Sequence, residues 1–153
     1  MKLLIKNGRV IHPVTETVLL QDILLEDGRI SLLEHGLSCE ADQTIDAAGL
    51  MVAPGLVDMH VHLRDPGLTY KEDILTGCAA AARGGVTSVV CMANTSPAVD
   101  CPEQIQYVLD RAREANGVEV YPVGAVSKGL RGEEPTDAEA LRAAGAVALS
   151  DDG

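Results

Sequence analysis

Two histidines two residues apart, followed at the same spacing by an arginine, are the residues of this chain best suited to chemistry. They are His60, His62 and Arg64 in "GLVDMHVHLRDPG", and Asp58 precedes them. Side chains alternate along a strand, so a strand here places all four polar residues on one face. Imidazoles at i and i+2 lie roughly 6.5–7 Å apart at the backbone and can converge on one metal ion. We therefore expect His60 and His62 to bind metal and Asp58 to orient an imidazole.

The alternative is a histidine pair satisfied by ordinary hydrogen bonds, which is common for an isolated His-x-His pattern. Four polar groups facing inward on an otherwise apolar strand are costly unless each has a partner. That cost favours the metal interpretation. The opposite face, with Val57, Met59, Val61 and Leu63, is expected to pack against helices.

The segment "AVALSDDG" near the end of the chain offers a third ligand. Alternation places Asp152 on the face of the small residues, and therefore in the same cavity as the histidines. Asp151 then lies at the rim with the bulky residues, unless a bend at Gly153 exchanges the two aspartates. Taken alone, the Asp-Asp-Gly sequence favours a solvated turn.

Arg64 and Asn94, the latter in "MANTSP", are predicted at the same end of the sheet. A guanidinium and an amide together can bind a carboxylate. The alternatives are a salt bridge from Arg64 to Asp65 and a turn-forming role for Asn94.

Positioning these residues requires two kinds of structure along the chain. Residues 1–53 read as a small β-sandwich-like domain, with hairpins at Asn7-Gly8 and Asp27-Gly28. From residue 54 to 153 strands alternate with helices. The strands are predicted at Leu56–Leu63, Val86–Met92, Val118–Ala125 and Ala146–Ser150.

The helix boundaries are predicted from capping signals. Capping boxes are expected at Thr69–Glu72 and Thr136–Glu139, and an N-cap at Asp100. Gly84-Gly85 and Gly117 are expected to end two of the helices.

Four βα units fall short of a (β/α)8 barrel, which needs roughly 250 residues. The alternatives are an open four-stranded α/β domain or the first half of a TIM-type barrel, and the metal chemistry favours the half barrel. Such a half is expected to expose two sheet edges and an aliphatic interior.

The motifs "APGLVDMHVHLRDPG", "MANTSP" and "ALSDDG" resemble, in order and spacing, the dihydroorotase family of the amidohydrolase superfamily. The resemblance covers essentially the whole chain, as an N-terminal portion. It implies that His60, His62 and Asp152 bind one or two zinc ions, and that Arg64 and Asn94 hold the substrate carboxylate. Asp152 stands where many relatives have a carboxylated lysine. The remaining ligands and the general base are expected beyond Gly153, so no catalytic base is expected in this segment.

The reaction implied is the reversible hydrolysis of L-dihydroorotate to N-carbamoyl-L-aspartate, in pyrimidine biosynthesis. Zinc would activate water at neutral pH and polarise the amide carbonyl. The alternatives are a non-catalytic subunit that supports aspartate transcarbamoylase, and a cyclic amidohydrolase of the allantoinase or hydantoinase type. Arg64 argues against the last class, whose substrates lack the carboxylate.

Composition narrows the partners. A net charge of −11 argues against nucleic acid and anionic membranes, and an anionic substrate needs a local cation. Four cysteines without close pairing predict free thiols and a cytoplasmic protein. The expected partners are a small anionic substrate, the rest of the barrel as a continuous or separate chain, other copies in a homo-oligomer, and aspartate transcarbamoylase.

Overall fold

A computed structural model describes residues 1–115 and 117–152, which divide into two compact units at Pro54/Gly55. The first unit is a mixed sheet of five strands. These are β1 (Lys2–His12), β2 (Thr17–Glu26), β3 (Arg29–Glu34), β4 (Gln43–Asp46) and β5 (Met51–Val52). The order is β3-β2-β1-β4, and β5 also pairs with β1. β2 is antiparallel to β1 and β3, whereas β4 and β5 run parallel to β1.

The two glycine turn signals of this unit have different outcomes. Asp27-Gly28 joins β2 to β3 as predicted, with φ of 49° and 78°. The hairpin predicted at Asn7-Gly8 is wrong, because β1 continues through it with a shift in register. Asn7 has φ 62°, and its backbone N–H donates to the buried carboxylate of Asp22 at 2.7 Å. Asn7-Gly8 therefore forms a β-bulge, so the left-handed conformation serves a bulge here and a turn at Asp27-Gly28.

The second unit is half of a β/α barrel, as predicted. Its four strands are parallel and lie in the order β6-β7-β8-β9. They are β6 (Leu56–Val61), β7 (Val86–Cys91), β8 (Glu119–Gly124) and β9 (Ala148–Leu149). The connections contain α1 (Ile74–Arg83), α2 (Pro102–Ala112), a 3-10 turn (Lys128–Leu130) and α3 (Ala138–Ala144).

One core joins the three helices to the sheet. Ile74, Ile105 and Leu141, one from each helix, are completely buried, and Val89 of β7 is packed with them. Fully burying such a side chain contributes about 1.5–3 kcal/mol relative to its exposed state. The helices are therefore held on one face of the sheet by aliphatic packing.

Two helices start later than predicted. The N-cap of α1 is Asp73, which forms a capping box with Thr76, so the capping box predicted at Thr69–Glu72 is wrong. The N-cap of α3 is Asp137, one residue after Thr136. In both places an aspartate carboxylate, and not the predicted threonine hydroxyl, caps the helix by accepting the backbone N–H three residues further on.

Of the remaining boundary predictions for α1 and α2, one is correct and two are wrong. Cys101, without a side-chain hydrogen bond, is the N-cap of α2, whereas Asp100 accepts a hydrogen bond from the backbone of Gly129 at 2.8 Å. Gly84-Gly85 ends α1 as predicted. α2 ends well before Gly117, so that prediction is wrong.

The outer strands of the half barrel are exposed, as expected. Val57 and Met59 on β6 are 61% and 74% exposed. The prediction that these two pack against helices is therefore wrong.

All four cysteines are free thiols, as predicted. Among the described residues, no helix combines the length and apolar character needed to span a bilayer.

We predict that Gly67→Ala destabilises the second unit more than Gly85→Ala. Both glycines have φ near +80°, so both substitutions carry the left-handed penalty of about 1–2 kcal/mol. Only at Gly67 would the new Cβ clash with backbone, at the Ser96 carbonyl oxygen; at Gly85 nothing lies within 4 Å. Thermal unfolding of the two variants measures the difference, and equal losses of stability would contradict the prediction.

Candidate metal centre

A β-bulge in β6 decides which side chains reach the concave face of the sheet. Asp58 pairs with Val89 and Val61 pairs with Cys91, so β6 takes three residue steps where β7 takes two. Val89 and Cys91 belong to the core under the helices, and their strand partners share that side. Asp58 and Val61 accordingly line one groove beside α1.

The bulge corrects the predicted alternation. Asp58 does not share the histidine face, and its carboxylate accepts a hydrogen bond from the backbone N–H of His60 at 3.2 Å. The predicted role of Asp58 in orienting an imidazole is therefore wrong. Its position instead supports the bulged backbone from which His60 and His62 project.

His60, His62 and Asp152 come together at the carboxyl ends of β6 and β9. Each offers one ligand atom, and the three atoms lie within 4.8 Å of one another. Asp152 Oδ2 is 3.2 Å from His60 Nε2 and 3.5 Å from His62 Nε2. The imidazole rings are 5.1 Å apart, edge to face. Two imidazoles and one carboxylate in this arrangement are a ligand set typical of zinc.

The adjacent aspartates at the end of β9 point to different partners. Asp151 accepts hydrogen bonds from the backbone N–H groups of Val126 and Ser127, at 2.7 and 3.0 Å, and from the Ser127 hydroxyl. The Ser127 hydroxyl and these N–H groups lower the pKa of the Asp151 carboxyl. The structure thus holds Asp151 on the loop after β8 and leaves Asp152 facing the histidines.

Asn94 lies directly beside the histidine pair. Its side-chain oxygen is 2.9 Å from His62 Nδ1. The sequence suggested a substrate contact for Asn94, and this hydrogen bond was not foreseen. It gives His62 an anchored ring.

Arg64 occupies the turn that leaves β6, with φ 59°. Its carbonyl oxygen accepts the N–H of Leu68 at 2.9 Å. This turn is joined to the Asn94 turn, because the Ser96 N–H donates to the Pro66 carbonyl at 3.1 Å. The two predicted substrate-binding residues therefore lie on loops that are fixed to each other.

A buried acid anchors the Arg64 turn to α2. Asp65 has a side chain only 2% exposed; it accepts the Tyr107 hydroxyl at 2.8 Å and lies 3.7 Å from Arg111 Nε. Within the part of the chain described, no ion pair joins Asp65 to Arg64, so that alternative is wrong. Sequence reasoning missed Tyr107 and Arg111, because the one signal they carry, a shared helix face at i and i+4, is common on helices that anchor nothing.

Several of the solved structures that resemble this chain are hydantoinases by name. The L-hydantoinase (dihydropyrimidinase) from Arthrobacter aurescens has a TM-score of 0.84 at 27% identity, over 96% of this chain and 32% of its own. The D-hydantoinase from Thermus sp. has a TM-score of 0.67 at 31% identity, over 82% of this chain and 28% of its own. The site thus lies in a half barrel that resembles part of the hydantoinase fold.

Residues 49–153 match the family model for dihydro-orotase-like proteins, and the chain belongs to that family. The dihydroorotase of Syntrophotalea carbinolica is 50% identical over 153 residues. That of Geotalea daltonii is 52% identical over 157 residues. Each match covers 100% of this chain and 36% of the relative, so the chain spans about a third of their length.

We predict that Tyr107→Phe lowers the free energy of unfolding by about 1–2 kcal/mol, since a buried carboxylate loses a hydrogen bond. The matched control is Tyr121→Phe, whose hydroxyl donates to Glu119 at an exposed site; there we expect a change within about 0.5 kcal/mol. Denaturant titration measures both. Similar values for the two variants would contradict the anchoring role of Asp65.

The same hydrogen bond has a predictable pH dependence. Asp65 raises the pKa of Tyr107, chiefly because its carboxylate accepts the hydroxyl proton. The stabilisation is therefore complete below about pH 10, the ordinary tyrosine pKa, and is lost as pH rises through the raised value. We expect the stability difference between wild type and Tyr107→Phe to shrink in that alkaline range, and a difference independent of pH would contradict the hydrogen bond.

Proposed function

We propose that this chain is part of a zinc-dependent cyclic amidohydrolase that interconverts L-dihydroorotate and N-carbamoyl-L-aspartate. The observation that carries the proposal is the convergence of His60, His62 and Asp152 within 4.8 Å, in a chain of the dihydro-orotase-like family. Pyrimidine biosynthesis and a cytoplasmic location follow from this reaction as further parts of the proposal.

The side chains of the cluster fit zinc. His60 and His62 each direct Nε2 toward Asp152, and imidazole nitrogen and carboxylate oxygen are both zinc ligands. His62 Nδ1 is already engaged by Asn94, which leaves Nε2 available. When bound, zinc supplies Lewis-acid activation of water and of the amide carbonyl. Asp152 also has a second carboxylate oxygen with which to reach a second ion.

Arg64 supplies the local positive charge that an anionic substrate needs in a chain of net charge −11. In the described residues no salt bridge occupies its guanidinium, and its side chain is half-buried. A guanidinium in this state can bind a carboxylate through two parallel hydrogen bonds. Arg64 and Asn94 would then hold the ring so that the scissile amide faces the histidines and Asp152.

The proposal assigns further metal ligands and the general base to residues beyond these 153. It also includes a homo-oligomer and an association with aspartate transcarbamoylase. Native mass spectrometry of the purified protein measures assembly mass and bound zinc together. A metal-free single chain without ring-opening activity in any assembly would contradict the proposal.

A hydrolase for neutral rings is the second candidate, because the L-hydantoinase of A. aurescens resembles 96% of this chain. Arg64 distinguishes the two candidates. A site for a neutral ring gains nothing from a guanidinium, whereas a site for dihydroorotate depends on one.

We predict that Arg64→Ala raises the KM for L-dihydroorotate by at least about 30-fold. Truncating one member of a buried charge pair costs about 2–5 kcal/mol, and each 1.4 kcal/mol is tenfold. The control is Arg83→Ala, an exposed arginine at the end of α1. Steady-state kinetics with dihydroorotate and with hydantoin measure the effect. Unchanged dihydroorotate kinetics alongside fast hydantoin hydrolysis would favour the second candidate.

We predict that His60→Ala and Asp152→Ala each reduce the zinc that the protein retains after dialysis to below half of the wild-type content. Each variant removes one donor of the converging set. His35→Ala, at an exposed position in the first unit, is the control and should retain full zinc. Elemental analysis of the dialysed proteins measures the content. Full zinc in both site variants would show that the metal binds elsewhere.

A further inference from the structure

Asn94 is held rigidly at the carboxyl end of β7. The preceding Ala93 is 1% exposed, and its carbonyl accepts the N–H groups of Thr95 and Val99, at 2.9 and 3.1 Å. The Thr95 hydroxyl donates to the Pro97 carbonyl at 2.7 Å. The backbone of Asn94 is therefore fixed, so the hydrogen bond made by its side chain can orient a neighbouring residue.

The neighbouring group is the His62 ring, and the donor and the acceptor of this hydrogen bond can be assigned. The Asn94 side-chain oxygen accepts hydrogen bonds and carries no proton. With the amide oxygen facing the ring, the hydrogen bond over 2.9 Å places a proton on His62 Nδ1. In a neutral imidazole that proton leaves the lone pair on Nε2, the nitrogen 3.5 Å from Asp152 Oδ2.

We infer that Asn94 is a positioning residue for His62, selecting the tautomer whose Nε2 faces the metal site. The inference rests on the proposed metal site and adds to it. The Asn94 amide group keeps two N–H donors, for which the described residues provide no hydrogen-bond partner. One side chain would thus fix a metal ligand with its oxygen and contact the substrate carboxylate with its nitrogen.

His60 provides an internal comparison. Its Nε2 approaches Asp152 at 3.2 Å, and its side chain is 55% exposed against 29% for His62. Within residues 1–115 and 117–152, the His60 ring has Asp152 as its hydrogen-bond partner and no counterpart of Asn94. Because a carboxylate oxygen also only accepts, this contact favours a proton on Nε2 of His60 before metal binds, whereas the Asn94 contact favours a proton on Nδ1 of His62.

Three variants of the full-length protein separate the two uses of Asn94. Asn94→Ala removes both, whereas Asn94→Asp keeps an oxygen for His62 and places a negative charge before the substrate carboxylate. Arg83→Ala, at an exposed position at the end of α1, is the control. Zinc affinity is measured by competition with a chromogenic chelator, and KM by ring-opening kinetics. Histidine tautomers are read from nitrogen chemical shifts of the metal-free protein labelled at histidine.

We expect Asn94→Ala to weaken zinc binding about 10- to 100-fold, the usual cost of removing a residue that orients a metal ligand. Asn94→Asp should restore zinc affinity to the wild-type value or tighter while KM for dihydroorotate rises at least tenfold. Arg83→Ala should leave both values within about twofold. In metal-free wild type, His62 should carry its proton on Nδ1.

Two results would overturn the inference. The first is wild-type zinc affinity in Asn94→Ala. The second is a proton on Nε2 of His62 in the metal-free wild type, and this measurement needs no variant. Failure of the proposed function looks different, since wild type would then bind no zinc and open no ring whatever the tautomer of His62.

Discussion

Asp152 meets His60 and His62 across the full width of a parallel sheet, because β6 and β9 are its two outer strands. The carboxyl ends of parallel strands lie along one edge, and curvature brings the outermost ends toward each other. The aliphatic core under the three helices, with Ile74 and Leu141 completely buried, maintains that curvature. The ligand geometry is therefore a property of the whole unit and not of any local motif.

The loops at this edge form a second layer of constraint. Asp65 ties the Arg64 turn to α2, and Ser96 ties the Asn94 turn to Pro66. Asp151 ties the end of β9 to the turn after β8. Asp65 adjoins Arg64 and Asp151 adjoins Asp152, whereas Ser96 lies two residues from Asn94, so each tie uses a residue within two positions of a proposed functional one. Such spacing fixes a side chain with little freedom left for its backbone.

Sequence patterns predicted this architecture better than its details. Alternation placed Asp152 beside the histidines correctly, although β9 itself spans only Ala148–Leu149. The same rule failed for Asp58, since a one-residue bulge reverses the side on which a side chain lies, and a bulge has no clear sequence signal. Asn7-Gly8 failed for a related reason: a left-handed pair suits a turn and a bulge equally, and tertiary contacts with Asp22 decide.

The separation of His60 from Asp152, 92 residues along the chain, has a consequence for folding. Contacts this distant form only after the entropy of closing a long segment has been overcome, and parallel strand pairing is intrinsically slow. The ligand cluster must then be among the last features to assemble. A metal ion that joins β6 to β9 would bind only correctly finished molecules and would withdraw them from the unfolding equilibrium. Metal would thus bind only after the strands have assembled correctly.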